Sequence, residues 1–448
     1  MDEFQMVEYD FIVIGSGIGG LMTAAALARD GKKVLILEKL AFTGGRYTEI
    51  SHKGYEITSG AWTSMGIKSH IGRFCEEVGA KVDYVTLRDK GEKNRPASLF
   101  KVKFNNQQIV DFFHPLPGTS VNNESYFEVL MKILAKNTEI TLKTSARDVI
   151  SEVTKDETIH SIINHTIGTA SGMTIDTLPA NELRVILADV LKTGGKFGFA
   201  VGGVKSIIQA LERVILANGG SIRTCVGVKS LIIEDNVAKG VELESGHNLY
   251  AKNIIHNGGA HQLVRLAKPK NLPINIVNYV KHLKPVDCAA IILGLDKPVT
   301  SGCAMTIPPD SERISGVFAP TFFDPSVAPP GKHMIDVFIP LQSHNIKKEM
   351  DLAWQDIYNL FPNIDSLINM KAQMVFYNDW PGAEAAQTFG QVGDQRLDPQ
   401  SSIENLFLVG MDCKGSGVAG DLVPVTAHLC LNRIKDKYKE IRVPSIAF

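Results

Sequence analysis

Three glycines near the start of the chain, Gly15, Gly17 and Gly20, have the spacing of a turn that wraps around a diphosphate. Gly15 allows a tight turn, Gly17 lets the backbone approach a pyrophosphate, and Gly20 permits close packing of a helix on a strand. Glu38 follows about 20 positions further on, where a carboxylate can accept a hydrogen bond from a ribose hydroxyl. These residues predict a binding site for a dinucleotide.

The residues around this motif predict the elements that would position it. A short apolar run at residues 11–14 precedes the glycines, an alanine-rich helix follows them, and a second apolar run at residues 34–37 ends just before Glu38. This order is one βαβ unit, in which the phosphates lie at the N-terminus of the helix. FAD and NAD both bind to such a unit, so the unit alone does not choose between them.

Two further glycine-containing segments distinguish between these cofactors. Residues 43–47 read TGGRY, and residues 405–412 read NLFLVGMD and are followed by more glycines as far as Gly420. Both segments resemble those of the amine oxidase and phytoene desaturase superfamily of FAD enzymes, and the GVAG sequence at residues 417–420 is most similar to the carotenoid desaturase and isomerase branch. The resemblance implies an α/β fold, with a Rossmann-like FAD-binding domain (GR2-type) and an interleaved α+β substrate domain.

The resemblance also implies which residues hold the cofactor. The segment with Arg46 would run beside the pyrophosphate and flavin, the segment with Gly410 and Asp412 would return to the ribityl chain, and the backbone of Val228 would meet the adenine. A helix beginning near Gly420 would point the positive end of its dipole at the flavin pyrimidine. The predicted cofactor-binding set is Gly15, Ser16, Gly17, Gly19, Gly20, Glu38, Lys39, Gly44, Gly45, Arg46, Gly60, Ala61, Val228, Gly410, Asp412 and Val418.

Tyr47, Trp62 and Lys414 are the predicted catalytic candidates, because they lie next to the predicted flavin and could move a proton or shape the pocket. A packing or cofactor contact is the alternative for each, since a flavin carries the redox chemistry itself. Cys413 also lies here, but the covalent anchors of monoamine oxidases lie upstream of the corresponding strand, so we predict noncovalent FAD. The histidines lack ligand spacing, and we predict no metal site.

Three departures from the desaturase pattern concern the substrate. In the family, a proline usually stands at the position of Ala419, and threonine, histidine and proline usually stand where this chain has Cys413 and Lys414. The family also usually has an aspartate near the position of Thr58, and residues 54–60 of this chain contain none. These differences favour a substrate that is smaller or more polar than a carotenoid.

The predicted function is an FAD-dependent oxidoreductase that exchanges hydride between the flavin and a carbon–carbon bond of an unsaturated or alicyclic substrate. Desaturation, reduction and isomerisation all remain open within this class. An FAD-dependent amine or amino-acid oxidase is the alternative. A non-enzymatic prenyl-protein chaperone, similar to the GDP dissociation inhibitors, is disfavoured because the phosphate-binding residues are all present.

At 448 residues the chain is long enough for more than one domain. We predict a discontinuous FAD-binding domain at residues 1–65, 195–260 and 401–448, and a substrate-binding domain at residues 66–194 and 261–400. Hydrophobic periodicity predicts hairpins at residues 98–113 and 239–253, helices at residues 124–136 and 182–192, and strands at residues 289–295, 334–339 and 406–409.

Charge and cysteine content limit the partners. Lys and Arg number 47 against 48 for Asp and Glu, so no net field attracts nucleic acid. The 6 cysteines have no paired spacing, and the N-terminus lacks the pattern of a signal peptide, so we expect reduced thiols in the cytoplasm. The sequence contains no apolar run of about 18 residues, so we predict no membrane-spanning helix. Peripheral contact with a membrane stays open. The expected partner is a small-molecule substrate.

Overall fold

The computed structural model describes residues 9–60, 66–86, 98–111, 114–115, 125–136, 140–192, 198–300, 302–377, 385–417 and 419–444. Within these residues the chain forms two large sheets covered by helices, together with two short two-stranded sheets. This architecture agrees with the predicted α/β class.

The strands in chain order are β1 (Tyr9–Ile14), β2 (Val34–Leu37), β3 (Glu49–His52), β4 (Tyr55–Thr58), β5 (Tyr84–Thr86), β6 (Ser98–Lys103), β7 (Ile109–Asp111), β8 (Gly198–Ala200), β9 (Ser221–Arg223), β10 (Val228–Glu234), β11 (Val237–Leu243), β12 (Asn248–His256), β13 (Cys288–Leu295), β14 (Cys303–Ile307), β15 (Gly316–Phe318), β16 (His333–Pro340), β17 (Ile368–Phe376) and β18 (Leu406–Leu408). The helices are α1 (Ile18–Arg29), α2 (His70–Val78), α3 (Tyr126–Ala135), α4 (Ala146–Val153), α5 (Glu157–Ser171), α6 (Ala180–Lys192), α7 (Lys205–Ala217), α8 (Ala260–Ala267), α9 (Ile274–Lys281), α10 (Ile346–Leu360) and α11 (Leu422–Lys437).

The first large sheet is a parallel sheet with an antiparallel extension. Its parallel strands lie in the order β9, β2, β1, β12 and β18. The hairpin of β10 and β11 is attached through the first residues of β12. Because the carboxyl ends of parallel strands meet at one edge, the turns after β1, β2, β12 and β18 lie together there.

Both faces of this parallel sheet are buried, which explains the continuous apolar runs in β1 and β2. In β1, Phe11 and Val13 pack against α1, α7 and α11 on one face. Ile12 and Ile14 pack against α8 and β10 on the other face. The predicted strand near residue 406 forms here as a buried parallel strand, as expected.

The second large sheet has the order β17, β13, β16, β15, β14, β6 and β7. Alternate residues of β16 point to opposite sides of it. Ile335 and Val337 pack against α10. Met334 packs on the other side, together with Ile292, Phe318 and Ile57 of β4. Helices α3, α4, α5 and α6 contribute residues to the same cluster. We call this second side the inner face.

The predicted hairpin near residue 105, the helices α3 and α6, and the strands β13 and β16 are all present. The predicted hairpin at residues 239–253 forms as β11 and β12, and β12 continues directly into the parallel sheet. The division into two domains at the predicted boundaries stays a prediction. None of the described helices combines the length and the apolar sequence needed to cross a bilayer.

Candidate functional site

The turn after β1 has a backbone conformation and contacts that require glycine. Gly15 has a φ of +92°, and its N–H donates to the carbonyl oxygen of Leu37 over 2.8 Å. A Cβ on Gly20 would lie 2.4 Å from the carbonyl oxygen of Gly15, so α1 packs directly on the end of β1. No described side chain caps α1. Its first N–H groups therefore remain at the sheet edge, where an anion binds favourably.

Glu38 is buried and held by donors of the neighbouring loops. Its Oε2 accepts from the N–H and the hydroxyl of Ser16, at 2.8 and 2.7 Å, and its Oε1 accepts from the N–H of Leu40 at 2.8 Å. The Val226 N–H donates to the carbonyl oxygen of Glu38 over 2.8 Å, which brings Val228 at the start of β10 close to this strand end. A carboxylate oxygen accepts more than one hydrogen bond, so a ribose hydroxyl can still bind to Oε1.

The TGGRY segment runs alongside the glycine turn. Gly44 donates its N–H to the carbonyl oxygen of Ser16 over 2.9 Å and pairs with Gly17 in a parallel bridge. A Cβ on Gly45 would lie 3.7 Å from the Cα of Gly17. The structure therefore brings these predicted cofactor residues together at one place.

The end of the β3–β4 hairpin supports this segment. The hydroxyl of Ser59 donates to the carbonyl oxygen of Gly45 over 2.8 Å. A Cβ on Gly60 would lie 2.7 Å from the carbonyl oxygen of Arg46. Gly60 is therefore needed for the close approach of the hairpin to Arg46.

Asn257, which sequence reasoning missed, lies between the first and last glycine segments. A Cβ on Gly17 would lie 2.6 Å from its Nδ2, one on Gly19 would lie 2.9 Å from its Oδ1, and one on Gly410 would lie 3.3 Å from its Oδ1. The signal for Asn257 in the sequence is its position directly after β12, the strand that neighbours β1.

These groups fit the polar part of a dinucleotide. The first turn of α1, the Asn257 amide and the Arg46 guanidinium are donors that suit a diphosphate, and Glu38 suits a ribose. Side chains at Gly17 or Gly19 would fill the space beside Asn257. The donor set therefore agrees with the predicted cofactor.

Asp412 is a predicted cofactor residue whose carboxylate binds to the protein backbone. Its Oδ2 accepts from the N–H of Ala260 at 2.6 Å, and its Oδ1 accepts from the N–H of Ala385 at 2.8 Å. Asp412 thus ties the start of α8 to the residue-385 segment. A contact between Asp412 and the cofactor stays a prediction.

Tyr47 lies in the helical core beside the start of α11. A Cβ on Gly420 would lie 3.0 Å from the Tyr47 ring, and Ile71 and Val423 belong to the same buried cluster. Burial raises the pKa of the Tyr47 hydroxyl well above its usual value. These surroundings are those of a packing residue, and a catalytic role for Tyr47 stays a prediction.

Two lysines of the predicted site lie nearer the surface. The Lys39 ammonium lies 3.2 Å from Glu244, and its side chain is 70% exposed. The Lys414 ammonium lies 3.2 Å from Asp398, which Arg433 also contacts at 3.0 Å. The structure therefore gives Lys414 a surface ion pair. Trp62, Ala61 and Val418 lie outside the described residues.

A second group that the sequence analysis missed lies before α11. Glu182 of α6 accepts from the Ser416 hydroxyl at 2.7 Å and from the Gln387 amide at 3.3 Å. The same amide donates to the carbonyl oxygen of Gly417 at 2.7 Å. Burial raises the pKa of Glu182. The glycine segment before α11 is thus fixed by side chains from two other parts of the chain.

A carboxyl group does reach Thr58, where the sequence lacks the aspartate of the desaturase pattern. The Thr58 hydroxyl donates to Oδ2 of Asp336 in β16 over 2.8 Å. Burial raises the pKa of Asp336 to about 7, although the bond from Thr58 lowers it in part. No local pattern could predict this pair, since its members are 278 positions apart.

Comparison with known proteins agrees with this geometry. A model of the flavin containing amine oxidoreductase family matches residues 18–421. Chloroplastic prolycopene isomerase of Daucus carota is 25% identical in sequence, and the similarity covers 81% of this chain and 68% of the length of that protein. The crystal structure of an oxidoreductase from Methanosarcina mazei has a TM-score of 0.80 at 28% identity, over 93% of this chain and 98% of that one. Cyclohexylamine oxidase from Brevibacterium oxydans has a TM-score of 0.69 at 14% identity, over 96% of this chain and 100% of that one. At this identity the similarity shows the fold alone.

The glycine-rich edge and the fold define a flavin-dependent oxidoreductase. Because the family model matches most of the chain, this protein belongs to the flavin containing amine oxidoreductase family. The predicted superfamily, the Rossmann-like fold and the assignment as an FAD-dependent oxidoreductase are confirmed. The prenyl-protein chaperone alternative has no support among these similarities.

Proposed function

We propose that this chain binds FAD noncovalently and exchanges hydride with a carbon–carbon bond of an unsaturated or alicyclic substrate. The observation that carries the proposal is the sequence similarity to prolycopene isomerase along 81% of the chain. The name of that relative describes a reaction at carbon–carbon double bonds. The similarity to cyclohexylamine oxidase is weaker in sequence, at 14% identity.

Some residues of this chain would bind the cofactor, and others would exclude water from the substrate. The first turn of α1, Asn257 and Arg46 would bind the diphosphate, and Glu38 would bind the ribose. The flavin, when bound, supplies hydride transfer. The apolar inner face of the second sheet would exclude water from the substrate.

Noncovalent attachment is supported by the state of Cys413. This thiol is buried, and burial raises its pKa well above the usual value. The thiolate is the nucleophilic form of cysteine, so a thiol that stays protonated does not attack a flavin. Cys413 is therefore unsuited to a covalent bond with the cofactor.

One aromatic pair of the inner face belongs to the core cluster. Phe199 and Phe323 are stacked, with ring centroids 5.8 Å apart and an angle of 13° between their planes. Two rings in such contact pack on each other and leave no gap for an amine. Within the described residues this pair therefore contributes to the core and does not form a cage.

Anaerobic spectroscopy of the flavin tests this proposal. We expect cyclohexenone to reoxidise the dithionite-reduced protein, or prolycopene to be isomerised, and we expect cyclohexylamine to leave the oxidised flavin unchanged. The two alicyclic probes are matched in ring size and differ in functional group. Bleaching by cyclohexylamine with no response to either carbon–carbon probe would contradict the proposal and support the amine oxidase.

The remaining expectations concern partners and location. A small-molecule substrate and a cytoplasmic location are proposals based on the near-neutral charge balance and the scattered cysteines. Binding to nucleic acid is not proposed, and peripheral membrane contact stays open.

A further inference from the structure

Asp336 and Thr58 form a buried pair between the second sheet and the hairpin that supports the cofactor segment. The Thr58 hydroxyl donates a hydrogen bond to Oδ2 of Asp336 over 2.8 Å. The other oxygen, Oδ1, is buried and accepts no hydrogen bond from the described residues. A buried carboxyl oxygen without a donor is costly unless it is protonated or a ligand binds to it. This pair therefore needs a functional explanation.

The surroundings of Asp336 are apolar. Its neighbours on the adjacent strands are Ile292 of β13 and Phe318 of β15, and both are almost completely buried. Burial and the Thr58 hydroxyl account for the pKa of Asp336, and no charged side chain of the described residues contributes to it. A carboxyl group in such a place gains or loses a proton near neutral pH, as acid–base catalysis requires.

Thr58 connects this carboxyl group to the cofactor segment. The next residue, Ser59, donates to the carbonyl oxygen of Gly45, and Gly60 lies against the backbone of Arg46. Asp336 is on the inner face, because it alternates along β16 with Ile335 and Val337, which face α10. The carboxyl group thus lies where the inner face meets the hairpin that contacts the TGGRY segment, the segment that would hold the flavin.

We propose that Asp336 exchanges the proton in the carbon–carbon reaction and that Thr58 is the residue that positions it. This inference rests on the proposed function, because that reaction needs a proton acceptor or donor in addition to the flavin. It names a role for a residue that the sequence motifs do not contain.

Desaturation removes two hydrogens from the substrate. Two carbon–hydrogen bonds on neighbouring carbons break. One hydrogen leaves with both electrons of its bond as a hydride, which the flavin, when bound, would accept. The other leaves as a proton to Oδ1 of ionised Asp336, and its electron pair becomes the carbon–carbon π bond. In the reverse reaction, protonated Asp336 donates the proton to carbon.

Three other ionisable side chains, those of Tyr47, Lys414 and Glu182, fit this role less well. Burial raises the pKa of the Tyr47 hydroxyl far too high for proton exchange near neutral pH. Lys414 pairs with Asp398 near the surface. Glu182 accepts hydrogen bonds from Ser416 and Gln387, which tie it to the glycine segment before α11.

The first test needs no substrate. The absorbance of the bound flavin is followed from about pH 5 to 9 in the wild type, Asp336→Asn, Thr58→Val and the matched control Thr58→Ser. We expect a transition near pH 7 in the wild type and in Thr58→Ser, a higher midpoint in Thr58→Val, and no transition in Asp336→Asn. A transition that is the same in the wild type and Asp336→Asn would overturn the proposal. If Asp336→Asn does not fold, an unshifted midpoint in Thr58→Val overturns it instead.

The second test separates proton exchange from a structural role. Dithionite-reduced enzyme is mixed with cyclohexenone in one experiment and with dioxygen in another, because reoxidation by dioxygen transfers no proton to a substrate carbon. We expect Asp336→Asn to slow reoxidation by cyclohexenone about 100-fold or more and to leave reoxidation by dioxygen unchanged. Equal slowing in both reactions would assign Asp336 a structural role. Failure of every carbon–carbon probe with the wild type would contradict the proposed function, whereas the absorbance titration would still show whether Asp336 titrates beside the flavin.

Discussion

At the carboxyl edge of the parallel sheet, the geometry for a ligand comes from the backbone, whereas on the inner face of the second sheet it comes from side chains. Gly15 and Gly20 bring the turn, the helix and the strand into contact, and the donors there are mainly N–H groups. Asp336 and Thr58 meet through a single side-chain hydrogen bond between distant segments. A site built from backbone groups depends on glycines at a fixed spacing in the sequence. A site built from side chains depends on how distant segments, here the second sheet and the β3–β4 hairpin, pack against each other.

This difference predicts that the two regions respond differently to substitution. Changes at the glycine edge should affect folding and cofactor binding together. Changes on the inner face should affect proton exchange and pH dependence while the cofactor remains bound.

The largest effect is expected at Gly20. A Cβ there would lie 2.4 Å from the carbonyl oxygen of Gly15, and neither backbone can move without separating α1 from β1. We expect Gly20→Val to lower the free energy of unfolding by about 3 kcal/mol or more and to abolish FAD retention. Urea unfolding and the ratio of flavin to protein absorbance measure these effects.

The matched control is Gly246→Asn, at the turn between β11 and β12. Gly246 has a φ of +86° and open space around it, and asparagine tolerates that conformation. We expect a change of less than about 0.5 kcal/mol and full FAD content. Full FAD retention in Gly20→Val would contradict the backbone account of this edge.

The second effect concerns Asp412. Its carboxylate accepts from the N–H groups of Ala260 and Ala385. Asp412→Ala leaves two buried donors without acceptors, so we expect a loss of roughly 2–3 kcal/mol in the free energy of unfolding. Because these partners belong to the protein, we expect the same loss with and without FAD. A loss confined to the FAD-loaded protein would show that Asp412 acts mainly through the cofactor.

Much of the glycine edge could be predicted from the sequence, because the conformation of each glycine and the strand–turn–helix order are local. The sequence places Asp412 at this edge, but the backbone N–H groups that donate to its carboxylate belong to the start of α8 and to residue 385 and have no local pattern. Asn257 could have been found from its position after a parallel strand. Asp336 could not, since a lone aspartate in an apolar strand does not indicate which hairpin packs over it.

The third effect is a pH dependence of stability. Burial raises the pKa values of Asp336 and Glu49 to about 7 in the folded protein, although backbone N–H groups of Val204 and Lys205 lower that of Glu49 in part. The unfolded values lie near about 4, so the folded state binds more protons between about pH 4 and 7, and stability falls as pH rises through this window.

We expect the wild type to lose on the order of 2 kcal/mol per raised carboxyl group between about pH 5 and 8. Asp336→Asn should lose less than the wild type over the same range. Urea unfolding at the two pH values measures both losses. Identical losses in the two proteins would mean that Asp336 is ionised in the folded state at both pH values.

The smallest effect is expected at Lys414. Its ammonium pairs with Asp398, and both side chains are 31% exposed. Arg433 continues to contact Asp398 when Lys414 is replaced. We expect Lys414→Met to change the free energy of unfolding by less than about 1 kcal/mol and to leave the rate of flavin reoxidation by cyclohexenone within about threefold. A fall of about 100-fold would restore Lys414 as an acid–base residue.

The glycine edge is expected to bind FAD without a covalent bond. The purified protein can be precipitated with acid, and the flavin in the supernatant identified by its mass and quantified against the protein. We predict that FAD is released in an amount equal to that of the chain, with none left on the precipitate. Flavin that remains attached to the precipitate, or a folded protein that neither contains nor takes up FAD, would contradict the account.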